Sequence, residues 1–243
     1  MQLLVSVRDP QEAEAAVTGG ADIVDAKDPD AGALGAVSPA ILHAIVSAVG
    51  RRRPITAALG DADDERSVER RAETFVGAGV HAIKLGLAGV DDRRRAAALI
   101  GSAIRGAGRE RVVAVAYADH ERAGSLSPRE VLAIAAAEGL AGILLDTADK
   151  HGPGLAALVP LPFLTDWVAA GRAEGLLVAI AGKLTAADIA AVQHTGADIA
   201  GVRGAACDGG RLGRIAVEQV RLLKGVVHVG RADSVEGRMR TDA

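Results

Sequence analysis

Lys27 stands two residues after Asp25 in the string DIVDAKDPDAGALGA at residues 22–36, where an apolar strand should end. A second lysine, Lys84, lies inside another apolar run, AIKLG, between Ile83 and Leu85. An amine placed there needs a polar cavity or a charged partner to offset its lost hydration. If both side chains enter one cavity, each disfavours protonation of the other, and burial acts in the same direction. At least one amine then becomes a free nucleophile near neutral pH, which is what attack on a carbonyl carbon and imine formation require. Asp25 or Asp146 can hold the other amine protonated or carry protons while the imine forms and breaks, and Lys150 follows Asp146 by four residues. Two plainer readings stay open: Lys27 as a solvated loop lysine, and the set as an ion network between strand ends.

Lysine is used sparingly. Of 28 basic residues only Lys27, Lys84, Lys150, Lys183 and Lys224 are lysine, the rest being arginine. A guanidinium stays charged and is a poor nucleophile, so a lysine kept against this bias marks a position where an unprotonated amine is useful. A biased genome would produce the same scarcity.

A second constellation occupies IAGKLT (180–185) and GVRGAAC (201–207). Gly182 and Gly204 expose backbone amides, while Lys183 and Arg203 offer an ammonium and a bidentate guanidinium, a combination suited to a phosphate dianion. Glycine also ends ordinary connections, so the two cations carry most of this expectation. Tyr117 and Asp119 read equally well as rim polarity or as site residues. The six histidines show no metal-ligand spacing, Cys207 has no histidine in sequence reach, and DADDERSVERR (61–71) reads as a loop entering a solvated helix face. No metal or cofactor is expected.

The elements that must position these groups are strands and helices in strict alternation. Strands are expected at 2–7, 22–26, 54–59, 81–87, 111–118, 141–146, 176–181 and 198–203. Helices are expected near 10–18, 38–49, 65–78, 91–105, 128–138, 161–173, 185–194 and 211–223. Eight such units in about 225 residues predict a single α/β domain, a (β/α)8 TIM barrel over 1–225, with a peripheral tail at 226–243. The first turn, SVRDPQEA, lacks the glycine fingerprint of a dinucleotide fold. Active sites of such barrels lie at the C-terminal ends of the strands, which is where Asp25, Lys27, Lys84, Asp146, Lys150, Lys183 and Arg203 fall.

A net charge of -3 gives no basic field for nucleic acid. No apolar run reaches the roughly 18 residues of a membrane span, and the start MQLLVSVRDP has no secretory pattern, so a cytoplasmic location is expected. An Ala-rich outer ring of helices is compatible with a homo-oligomer.

The strings LLVSVRDPQEAEAAVTGGADIVDAKDPDAGALGA, AIKLGLAGV, VAVAYAD, LLDTADKHG and GVRGAAC resemble the (5-formylfuran-3-yl)methyl phosphate synthases of methanofuran biosynthesis, over about residues 3–223. The resemblance implies a triosephosphate-isomerase-type barrel that joins two glyceraldehyde 3-phosphate molecules into a furan aldehyde phosphate with loss of phosphate and water. It further implies that Lys27 is the Schiff-base lysine and Lys84 the proton-transferring lysine, with Asp25, Asp146 and Lys150 in the same pocket. The segment after Asp61 departs from the archaeal members, lacking their Pro- and Lys-containing loop, and the tail after about 225 has no counterpart. A class I aldolase or isomerase of a phosphorylated sugar would share the imine, and a non-catalytic phosphate-binding barrel would share the anion site.

Overall fold

The structure is a computed structural model that describes residues 1–61 and 64–239, with side chains described through residue 228. Ala62 and Asp63, in the segment after Asp61 that departs from the family pattern, lie outside the described residues, as do residues 240–243 of the expected tail.

Eight parallel strands close into a barrel in chain order: β1 (Gln2–Val7), β2 (Ile23–Ala26), β3 (Ile55–Ala58), β4 (Ala82–Gly86), β5 (Val112–Tyr117), β6 (Gly142–Asp146), β7 (Leu177–Ile180) and β8 (Ile199–Val202). The helices between them are α1 (Pro10–Gly19), α2 (Pro39–Val49), α3 (Glu65–Gly77), α4 (Arg93–Ala107), α5 (His120–Ala123), α6 (Pro128–Ala137), α7 (Leu155–Leu158), α8 (Leu161–Ala173) and α9 (Ala186–Gln193). All eight expected strands are present, and the short α5 and α7 decorate the ends of β5 and β6.

Local chemistry sets the helix starts. Asp9, Ser38 and Ser127 each precede a proline in the first turn and accept a backbone N–H there. Ser127 with Glu130 and Thr185 with Asp188 form reciprocal capping pairs. Along the strands alternate residues face opposite ways. Outward Leu3, Val5, Val24, Ala26, Ile83, Leu85, Ile143 and Leu145 join the layer between sheet and helices. Inward Ser6, Thr56, Lys84, Leu144 and Asp146 line the barrel interior. A separate buried cluster of Ala33, Leu34, Ala58, Val115, Tyr117 and Leu144 fills one side of that interior.

The end of the chain differs from the expected helix at 211–223. A two-stranded hairpin of β9 (Cys207–Asp208) and β10 (Arg214–Ile215) comes first, and α10 starts only at Val217. The cause is the string DGGRLG: Gly209 and Gly210 take φ of 82° and 77°, and a Cβ on Gly213 would lie 1.8 Å from the Asp208 carbonyl oxygen. These positions reverse the chain and cannot be helical. Helix α10 then runs Val217–Met239, across the boundary expected at 226, and Val227 is 1% exposed in the core. Its first turns are therefore part of the barrel wall. Among the described residues no helix is long and apolar enough to cross a membrane.

Candidate active site

The barrel register places Ser6, Asp25 and Thr56 side by side on β1, β2 and β3. Both hydroxyls donate to the Asp25 carboxylate, Ser6 Oγ at 2.8 Å and Thr56 Oγ1 at 2.7 Å. Lys84 Nζ completes the arrangement at 2.6 Å from Asp25 Oδ2. Asp25 is fully buried and Lys84 is 5% exposed, so this pair sits on the floor of the barrel mouth, with both hydroxyls supplied by the strands flanking β2 and the amine reaching across from β4.

Lys27 follows the end of β2 and is 6% exposed. Its backbone N–H donates to the Val7 carbonyl at 2.9 Å, which holds its start in register with β1. Its Nζ lies 3.8 Å from Asp146 Oδ2 and makes no hydrogen bond among the described residues. Lys150 Nζ takes the other oxygen of Asp146, at 2.7 Å, and also donates to the Thr147 carbonyl. Asp146 thus stands between two amines, bonded to one and only near the other.

The electrostatic result is asymmetric. Burial lowers the Lys27 amine most; Asp146 opposes this, Lys150 and Lys84 reinforce it and Asp25 opposes, leaving a pKa of about 7 instead of 10.5. Burial alone would raise the Asp146 carboxyl, but Lys150 and Lys27 outweigh it and hold it at about 2. Near neutral pH the site therefore contains a fixed carboxylate beside an amine that is free about half the time. Such an amine can add to a carbonyl, and the neighbouring ion pairs can supply and accept protons.

These groups open into a cavity of about 520 Å³, which Lys27, Lys84, Asp146, Lys150 and Lys183 line together. Four of the five lysines thus share one space, and Lys224 pairs with Asp22 elsewhere. The sequence-expected catalytic set forms two ion-paired groups, Lys84 with Asp25 and Lys27 and Lys150 about Asp146, whose three lysines face one cavity.

The expected phosphate residues Gly182, Lys183, Arg203 and Gly204 all line this cavity. Gly182 has φ of 108° and Lys183 of 60°, so the β7–α9 turn exposes its amides in a left-handed conformation. The Lys183 amine donates to the Gly152 carbonyl. Arg203 requires a correction. Its five N–H donors are all engaged within the protein: Nε to the Arg211 carbonyl, Nη1 to the Ser6 carbonyl and Glu12, and Nη2 to Glu12 and the Gly213 carbonyl. Glu12 is 2% exposed and meets Arg203 at 2.7 Å, so the guanidinium is a buried strap with no donor left for an anion. Glu12 was hidden in sequence because DPQE already reads as a helix start, and its pairing spans 191 residues.

Tyr117 and Asp119 take structural roles. Tyr117 is fully buried and its hydroxyl donates to Asp61, with burial pushing its ionisation well above the ordinary range. Asp119 accepts the backbone N–H groups of Ala148 and Asp149 at 2.7 and 2.8 Å, which fixes the loop leading to Lys150. Cys207 is buried, with its thiol raised by burial. Sequence reasoning missed Ser6 and Thr56, although both have the inward parity of their strands, and it missed Arg211, whose place depends on the hairpin.

A family model described as 4-HFC-P synthase matches residues 3–224. The (5-formylfuran-3-yl)methyl phosphate synthase of Methanopyrus kandleri is 38% identical over 221 residues, covering 89% of this chain and 93% of its own length. The enzyme of that name from Methanocaldococcus jannaschii is 38% identical over 231 residues, covering 92% of this chain and 98% of its own. Among solved structures, a 3-hexulose-6-phosphate synthase superposes with a TM-score of 0.62 at 20% identity, over 93% of this chain and 100% of its own. The phosphoribosyl anthranilate isomerase of Thermus thermophilus gives 0.65 at 14% identity, over 95% and 100%. At such identities these two likenesses carry the barrel fold alone.

Proposed function

The chain belongs to the 4-HFC-P synthase family, and from that premise we propose that it is a furan phosphate synthase of methanofuran biosynthesis that works through a Schiff base on Lys27. It condenses two molecules of glyceraldehyde 3-phosphate into (5-formylfuran-3-yl)methyl phosphate. Atom balance requires the release of one phosphate and two waters. The observation that supports the reading is the Lys27 amine: buried, without a hydrogen bond among the described residues, and lowered to a pKa of about 7.

In this reading the free amine adds to the aldehyde of one triose phosphate, and the carbinolamine loses water to give an imine. The positive nitrogen draws electrons from the adjacent carbon, whose proton leaves to form an enamine. That carbon attacks the second triose phosphate, elimination of phosphate, ring closure and dehydration build the furan, and hydrolysis of the imine releases the aldehyde and returns the Lys27 amine. Lys84, oriented by Asp25 at 2.6 Å, moves protons on one side, and the Asp146–Lys150 pair at 2.7 Å does so on the other. The retained phosphate binds beside Gly182, Lys183 and Gly204. The lyase chemistry needs no group beyond these side chains.

Borohydride reduction with glyceraldehyde 3-phosphate, followed by mass spectrometry, tests the imine; absence of an adduct on the Lys27 peptide refutes it. Product analysis tests the rest: an ultraviolet-absorbing furan with free phosphate is expected, and an open-chain aldol product would assign the protein to sugar-phosphate aldol chemistry instead.

A further inference from the structure

With Arg203 fully engaged inside the protein, the cavity still has one guanidinium with donors to spare. Arg211 sits at the tip of the β9–β10 hairpin, is half-buried and lines the cavity. Its Nη2 donates to the carbonyls of Pro29 and Gly32, at 3.2 and 2.8 Å, in the turn that immediately follows Lys27. Its Nε and Nη1 have no partner among the described residues. Its backbone lies over Gly204, whose added Cβ would come within 3.6 Å of the Arg211 nitrogen. Arg211 shares the lining of this cavity with Lys27 and Asp146.

The hairpin that carries Arg211 is firmly held. Arg203 Nε bonds the Arg211 carbonyl at 2.8 Å, Arg8 donates to the Leu212 and Gly213 carbonyls, and Arg214 meets Asp9 at 2.6 Å. A rigid support of this kind keeps a guanidinium pre-organised for an oxyanion, since little rotamer freedom remains to be lost.

We propose that Arg211 is the phosphate-binding and specificity-determining residue of the site, clamping the phosphate monoester of the substrate between the hairpin and the glycine turns at Gly182 and Gly204. Through Nη2 the same side chain braces the Pro29–Gly32 turn, so phosphate capture and the placement of Lys27 share one residue. This rests on the proposed reading of the substrate as a phosphorylated aldehyde.

The test compares wild type with Arg211→Gln and Arg211→Lys. Borohydride-trapped adduct on Lys27 is measured against the concentration of glyceraldehyde 3-phosphate and of glyceraldehyde, which has no phosphate. Inorganic phosphate binding is measured separately by calorimetry. Loss of a charged hydrogen-bonded pair should reduce the wild-type preference for the phosphorylated aldehyde by about 10- to 100-fold in Arg211→Gln, weaken inorganic phosphate similarly, and leave Arg211→Lys in between. If both aldehydes weaken equally, Arg211 only braces the turn and the proposal fails; if neither changes, it fails outright. Should wild type trap neither aldehyde, the imine reading falls, and the phosphate titration of the same variants still decides the role of Arg211.

Discussion

Replacing Lys27 with methionine should make the protein more stable while destroying its chemistry. An amine lowered from 10.5 to about 7 by burial is a charge the fold resists. At about 1.4 kcal/mol per pH unit, holding it protonated inside costs on the order of 5 kcal/mol at low pH and roughly 4 at pH 7, relative to the unfolded chain. Methionine removes that cost and fills similar volume. The attraction of Asp146 at 3.8 Å is already contained in that cost, and Asp146 keeps Lys150 at 2.7 Å; a methionine facing the open cavity realises only part of the gain. The net expectation is about 1–3 kcal/mol of added stability at pH 7. The sign with pH follows from linkage: between about 7 and 10.5 the unfolded lysine holds more proton than the folded one, so wild type gains stability as pH rises. The gap between variant and wild type should be constant below about 7, narrow through this window and close above 10.5. Urea unfolding at pH 6, 7, 8.5 and 10 reads it directly. A variant no more stable than wild type at pH 7, or a gap that ignores pH, would refute the buried-amine account.

Lys27→Arg keeps the charge and loses the addable amine, so adduct formation and furan production should drop to background. In wild type the rate of adduct formation should rise with pH through about 7 and then level, because the free amine is the reactive form; an inflection near 10 would mean an ordinary solvated lysine. Glu12→Gln leaves the Arg203 guanidinium buried beside a neutral amide and should cost about 3–5 kcal/mol in chemical unfolding. Tyr117→Phe strips Asp61 of its hydroxyl donor and should cost about 1–3 kcal/mol, with adduct formation at Lys27 retained.

The alternating pattern made much of this architecture legible. In a chain of alternating strands and helices the Ile-Lys-Leu run reads as a strand with its lysine on the face opposite Ile83 and Leu85, and that parity directs Lys84 to the barrel interior. Lys27 and Asp25 share parity on β2 in the same way. What could not be read was register across strands. Nothing local says that Ser6 and Thr56 flank Asp25, since that depends on the stagger with which the barrel closes. Arg203 misled because its chemistry suits phosphate, while its real partner lies 191 residues away. Arg211 was overlooked because apolar spacing suggested a helix where Gly209 and Gly210 impose a reversal.

The Arg203–Glu12 strap crosses the seam where β8 meets β1, the junction of the last barrel strand with the first. During synthesis, β1 keeps one side unpaired until nearly the whole barrel has left the ribosome. An open strand edge is a template for wrong partners, and a buried carboxylate awaiting its counter-charge favours no premature closure. The sheet cannot close before β8 is available, so fragments ending before Arg203 should be substrates for chaperones and proteases instead of half-barrels.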